Sequence, residues 1–272
     1  MAIRKVDALV LRRLKFRETS LLVTFFSADS GKFTGLLKGA RDPRRPRYGS
    51  PAELFSMNHV VYYEKRHGEI HTVAQCDLIE SFRSIRADLV KTTCASYLVD
   101  VLGLLTESRD PNPPLFEMGV EGIRRLAAEH DADRVLVITV LRLLALSGVS
   151  PSPALCVMCG ATPAGAARFS VRVGGALCAA CGTRQSDAVA VSAGALASLA
   201  HVSEAEGEQL WRLRFPAAVL RELLPLTKAL LSHHVGQEPR SQQILEQIVR
   251  ETCTFRNSSL PSMPIGQIAV AS

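Results

Sequence analysis

Residues 20–51 read SLLVTFFSADSGKFTGLLKGARDPRRPRYGSP. Ser20–Ser27 is rich in aromatic and β-branched residues, Asp29-Ser30-Gly31 carries turn chemistry, and Lys32–Lys38 resumes an apolar pattern. The first half of the stretch therefore predicts a β-hairpin. The second half cannot become a helix. Pro43, Pro46, Gly49 and Pro51 punctuate it, so its charges belong on an exposed loop. Working outward, Val6–Leu11 is a short apolar run with a basic end, and Glu53–Tyr63 is strand-like. A turn at His67-Gly68 precedes a further strand over Glu69–Ile79. Five short strands within residues 1–80 must hide their edges. A small closed barrel does so. The five-stranded OB-fold is the expected form and an SH3-like barrel the other.

Helical periodicity begins after residue 80. Over 87–106, Val90, Cys94, Tyr97, Val101 and Leu105 fall on one face. Pro113-Pro114 opens a second helix, carrying Phe116, Val120, Ile123 and Ala127, which Asp131 to Asp133 break. Arg134–Ser147 is almost wholly apolar and reads as the central helix of a bundle, ended by Gly148 and Pro151. Further helices are expected from about Ser192 and over Pro216–His234, the last kinked at Pro225. The sequence thus predicts an α+β chain. A barrel over 1–80 precedes a helical domain over 81–150 and 187–250, interrupted by an insert at 151–186. Residues 256–272, rich in Ser, Pro and small apolar types, read as a disordered tail.

Of the 272 residues, 47% are hydrophobic and 21% charged, which argues against wholesale disorder. The net charge is +6, and 25 of the cations are Arg against 7 Lys. Residues 1–80 hold 14 Lys/Arg against 9 Asp/Glu, whereas residues 81–272 hold 18 against 17. Within 30–50, Lys32, Lys38, Arg41, Arg44, Arg45 and Arg47 face Asp42 alone. Clustered cations release counterions from a polyanion, so this loop reads as a phosphate-binding element, with a plain solvated loop as the bland reading. Tyr48 offers either a stacking surface or simple packing. Arg124, Arg125 and Arg142 on the bundle read as ordinary solvated arginines.

Met1–Leu11 mixes Arg4, Lys5 and Asp7 into its apolar residues and lacks a signal-peptide core. The most apolar run, Val135–Leu146, carries Arg142 and falls short of the roughly 18 residues of a membrane span. A cytoplasmic protein with no membrane partner is expected. Of 7 cysteines, four form the pattern Cys156-Val-Met-Cys159-Gly and Cys178-Ala-Ala-Cys181-Gly. Two residues between ligands let both sulfurs of a pair reach one ion, and two such pairs complete a tetrahedron. Cys156, Cys159, Cys178 and Cys181 are therefore expected to hold one structural Zn2+. The glycine after each pair suits a positive φ. The intervening segment has little core beyond Phe169, Val171, Val173 and Leu177, so a metal would stabilise it. Cys76, Cys94 and Cys253 are isolated and read as inert thiols. No Walker, Rossmann, zincin or nucleophile-elbow motif is present, and the 7 His are scattered. No enzyme is expected.

Three pieces carry a family resemblance: ETSLLVTFFSADSGKFTGLLKGARDPRRPRYGSPAELF, GEIHTVAQCDLIESFRSIRADL, and SPSPALCVMCG with LCAACG. Over roughly residues 4–245 the chain resembles the bacterial RecO family of recombination mediators. GKFTGLLKGAR is the most specific piece. HHVGQEPRSQQ resembles the family's basic ending, yet has Gln242 where a second basic residue is expected. The resemblance implies an OB-fold that binds single- and double-stranded DNA and anneals complementary strands. It implies action in the nucleoid with RecR, to load RecA on DNA coated by single-stranded DNA-binding protein, whose acidic C-terminal tail is a further partner. The cations matching a DNA path are Lys32, Lys38, Arg41, Arg44, Arg45 and Arg47, with Lys65 and Arg66 of the next hairpin flanking them. The other function class is a zinc-stabilised regulatory or protein-interaction subunit, such as a transcription factor, whose basic loop meets an acidic partner.

Overall fold

A computed structural model describes residues 2–248, apart from 43, 45–47, 49–51, 66, 67, 164 and 166. The expected disordered tail, 256–272, lies outside these described residues. Five strands, β1 (Ala2–Phe16), β2 (Ser20–Ser27), β3 (Gly31–Leu37), β4 (Met57–Glu64) and β5 (Ile70–Glu80), close a barrel in the order β1-β2-β3-β5-β4. This is the OB-fold arrangement rather than the SH3-like one. β1 extends well past the expected Val6–Leu11. Its first half pairs with β4 and its second half with β2, and the register shifts between Val10 and Arg12. One long bulged strand serving two neighbours is what closes so small a sheet.

The run Ala8–Leu11 is buried on both faces. Ala8 and Val10 point into the barrel with Phe25, Phe33 and Tyr62. Leu9 and Leu11 point outward and join Phe26, Phe55 and Met57 in the core of the helices. That double burial explains why the run is continuously apolar rather than alternating. β4 starts later than the expected Glu53. Residues 53–56 form a turn closed by Ser56 Oγ donating to Glu53 O (2.6 Å), and Phe55 sits there at φ 72°. Burial of the Phe55 ring among the helices holds that uncommon conformation in place.

The helices are α1 (Arg83–Arg86), α2 (Leu89–Leu105), α3 (Pro113–Ala128) and α4 (Ala132–Leu146). After a small sheet of β6 (Arg168–Ser170), β7 (Gly175–Leu177) and β8 (Val189–Ala190), with α5 (Ala179–Gly182) between, come α6 (Ala193–Glu204), α7 (Gly207–Arg212) and α8 (Ala217–Val235). A further helix covers 242–248. Side chains of Asp88, Asn112, Asp131 and Ser192 accept from backbone N–H groups to cap α2, α3, α4 and α6. α4 is the central helix, and α8 continues through Pro225. α1, α5, α7 and the 242–248 helix have no counterpart in the periodicity, being too short to show it. Among the described residues the largest fully buried side chain is that of Arg134, at 1% exposure. Its Nη1 donates to Trp211 O (2.9 Å) and Leu213 O (3.0 Å), and its Nη2 meets Glu129. Burial pulls its pKa down to about 10. No described helix is long and apolar enough to cross a membrane.

Barrel and helices are tied by the segment after α2. Lys32 Nζ donates to Gly103 O and Thr106 O, both at 2.5 Å, at the C-terminal end of α2. Ser108 bridges Lys32 in parallel, and Arg109 N donates to Lys32 O (2.9 Å). Arg109 Nη2 then reaches Gly68 O (2.7 Å) on the β4–β5 turn. The approach is close enough that a Cβ on Gly31 would run into the Asp110 backbone. An ammonium group on helix-end carbonyls satisfies acceptors that the helix leaves open. Lys32→Met should lower unfolding stability by about 2 kcal/mol, because two carbonyls lose a charged donor. Urea melts check this through a lower midpoint at unchanged slope. Equal midpoints would mean that the ammonium contributes nothing to the tie.

Candidate nucleic-acid interface and metal centre

Lys38 and Arg41 are exposed just beyond β3, and Arg44 is exposed further along. Arg41 N donates to Thr19 O (2.8 Å), which pins the start of the basic loop to the β1–β2 turn. The loop's one carboxylate, Asp42, accepts from Arg44 N (3.0 Å). Arg45, Arg47 and Arg66 lie outside the described residues. Tyr48 is half-buried, its hydroxyl donating to Val73 O (3.3 Å), so it packs against the barrel. Two expected members are placed apart from the loop. Lys32 is engaged on the end of α2, and burial holds its pKa below the ordinary lysine value. Lys65 sits by the β4–β5 turn, where Ile70 pairs with Thr34 near the start of β3. Lys38 follows the far end of that strand, roughly 13 Å from Thr34 at strand rise.

The structure adds cations that the sequence reading passed over. Because β1 runs to Phe16, the stretch RRLKFR lies on a hairpin arm, and Arg12, Arg13, Lys15 and Arg17 are all exposed there. The Arg17 guanidinium lies 5.4 Å from the centre of the Phe16 ring. The Arg41–Thr19 bond joins this arm to the basic loop, giving one cationic surface at one end of the barrel. Density of charge in RRLKFR was the available signal. A strand ending at Leu11 hid it. The bundle arginines behave differently. Arg124 pairs with Glu80, Arg125 with Glu121 (2.7 Å) and Glu208, and Arg142 donates to Ser203 O (3.0 Å). In the insert, Arg168 donates to Ala188 O (2.8 Å).

Cys156, Cys159, Cys178 and Cys181 converge, with all four sulfurs within 4.8 Å of one another. Cys159 and Cys178 Sγ are 3.8 Å apart. A tetrahedral ion with metal–sulfur bonds of about 2.3 Å requires sulfur separations close to that. Cys156 is buried, Cys159 exposed, and the other two are intermediate. Backbone N–H groups, that of Cys178 first, pull the Cys156 thiol down to about 6. The neighbouring thiols push Cys181 up to about 12. Crowded thiolates repel, and a divalent cation at their centre relieves that repulsion. The donor set is thus that of a closed, four-thiolate metal site. Gly160 has φ 72°, as its place after the first pair requires. Gly182 differs. It lies in α5 without a positive φ, and a Cβ there would collide with the Arg168 side chain. The insert also has more core than expected, because Phe169, Ala167 and Ala176 join the main helical core. Only Cys156, Leu177 and Ala188 form a separate cluster beside the thiols. Cys76 and Cys94 are buried, and burial pushes the Cys76 thiol up to about 12. Both are inert at neutral pH. Cys253 lies outside the described residues.

Two family models match. Residues 1–82 match the recombination protein O N-terminal model and residues 86–243 the recombination protein O C-terminal model. The chain is 30% identical over 254 residues to the DNA repair protein RecO of Syntrophus aciditrophicus, covering 92% of this chain and 97% of that one. It is 29% identical over 250 residues to the DNA repair protein RecO of Desulfatibacillum aliphaticivorans, covering 90% and 96%. It is 30% identical over 242 residues to the DNA repair protein RecO of Myxococcus xanthus, covering 89% and 96%. With both models matched in order across the barrel and the helices, the chain belongs to the recombination protein O family of DNA repair proteins.

Proposed function

We propose that this protein is a non-enzymatic recombination mediator. It binds single- and double-stranded DNA without reading sequence and anneals complementary strands. With RecR it helps load RecA on DNA coated by single-stranded DNA-binding protein, whose acidic tail it also contacts. It works in the cytoplasm, on the nucleoid. The barrel over 1–80 is the DNA-binding domain. The helices over 81–150 and 187–250 are its scaffold, and the insert at 151–186 is braced by Zn2+ on the four cysteines. The observation that supports this reading best is the contrast between the two sets of arginines. Arg124, Arg125 and Arg142 on the helices carry carboxylate or carbonyl partners, whereas Arg12, Arg13 and Arg17 on the β1–β2 arm and Arg41 and Arg44 on the basic loop stand exposed. Unpaired cations along a barrel mouth attract a phosphate backbone, and the affinity is then dominated by counterion release. No bond is made or broken, since annealing needs only strands held with their charge neutralised and their bases free. Zinc would supply a rigid crosslink between the two Cys-x-x-Cys turns and no open coordination site.

Changing Arg44, Arg45 and Arg47 together to Ala should weaken binding of single-stranded DNA at least tenfold, about 1.4 kcal/mol. The slope of log affinity against log salt should fall by roughly two units. Unfolding midpoints should not move, because exposed loop charges contribute little to stability. A folded triple variant that binds and anneals like the wild type places the DNA path elsewhere.

Metal analysis of the purified protein should find one zinc per chain, and Cys159→Ser should lose it and lower stability by several kcal/mol. Because Phe169 keeps the insert attached to the main core, chelation should raise amide exchange in 151–186 before it affects α4. Folded protein free of zinc, with its insert fully protected, would sink the assignment.

A further inference from the structure

The basic surface of the proposed DNA path does not stop at the hairpin arm. At its base, β1 turns one side toward α2, and a cleft of about 360 Å³ opens between barrel and helices. A second cleft of about 190 Å³ adjoins it, and the two share Leu11, Arg12, Val99, Asp100 and Arg240. Together they make a groove of mixed polar and apolar lining with a basic rim. Arg12, Arg13 and Arg240 are exposed, and none has an ion-pair partner among the described residues. Of the two carboxylates there, Asp100 is engaged: its Oδ2 accepts from Ser241 N (2.9 Å) and Ser241 Oγ (2.7 Å). Glu238 remains.

We propose that this groove continues the DNA track, so that a single strand leaving the 38–44 loop follows the hairpin arm and enters the space between barrel and α2. Phosphates lie on Arg12, Arg13 and Arg240 along the rim, and the bases turn into the groove. The inference rests on the DNA-binding reading above. Charge favours nucleic acid over an acidic peptide here. Arg12 and Arg13 share a strand with Lys15, Arg17 follows in the turn, and the Thr19–Arg41 hydrogen bond joins that hairpin to the loop, with the exposed Glu18 as the carboxylate between. Closely spaced cations with a single carboxylate among them suit a periodic polyanion. The volumes suit a few nucleotides of one strand rather than a duplex.

The test uses the full-length protein with two oligothymidylates, one of about 6 and one of about 20 nucleotides, within and beyond the site size of a single OB barrel. Arg240→Glu, in the groove but outside the arm and the loop, should leave the short oligonucleotide within twofold of wild type. The long one should bind at least threefold more weakly, with its salt slope lower by roughly 0.7. Arg240→Gln should move both readouts in the same direction by less, and its urea midpoint should match wild type. Unchanged long-strand affinity in both folded variants overturns the groove, as does an equal loss with both lengths. So does retained long-strand binding with loss of a polyglutamate peptide, which would make the groove a peptide site. If the wild type binds neither oligonucleotide in a salt-dependent manner, the DNA-binding reading itself fails. If it binds both with equal slopes, only the groove does.

Discussion

The contact of Lys32 with the end of α2 determines how the two halves of this molecule sit. An ammonium group from β3 completes the acceptor set that the last turn of a helix leaves open, and the segment after that helix then runs along β3 as a short parallel bridge. Arg109 carries the same segment on to the β4–β5 turn. These polar ties orient an interface whose bulk is apolar, where Leu9, Leu11, Phe26, Phe55 and Met57 leave the barrel to join the helices. Burial of that kind contributes most of the free energy but little direction. The hydrogen-bonded strap supplies the direction, and with it the groove between β1 and α2.

Charge is partitioned by the same packing. Helices that bury apolar faces bring Arg124, Arg125, Arg134 and Arg142 against neighbouring carboxylates and carbonyls, and Arg125 and Arg134 are held in place around Trp211 in this way. Arg12, Arg13, Lys15 and Arg17 of the β1–β2 arm are exposed, and none has an ion-pair partner among the described residues. These cations stay solvated and available. Net charge alone could not separate the two populations, since both are made of the same residue type.

The insert shows a division of labour between metal and core. Four thiols draw two turns together around one point, while Phe169 anchors the small sheet to the bundle. The metal is then needed for the local fold of the two turns, and the aromatic anchor for their placement.

Much of this was legible in the residues. Apolar runs of strand length separated by turn chemistry announced the barrel, and apolar faces at helical spacing, with Pro113-Pro114 opening one of them, announced the helices, because these signals are local. The four cysteines were legible because a tetrahedral ion imposes its own spacing. What stayed hidden depends on neighbours far away in the chain. Lys32 reads as one more cation of a basic loop, and only the end of α2, some seventy residues on, turns it into a structural tie. RRLKFR reads as the frayed end of a short strand, and only the pairing of Arg12–Phe16 with β2 makes it an exposed arm. Gly182 resembles Gly160 in its motif, yet one answers to a backbone angle and the other to the Arg168 side chain. Local patterns thus determined which elements form. Tertiary packing alone decided which charges are neutralised and which face solvent, because a side chain's partner depends on the element laid against it and not on its own position in the chain.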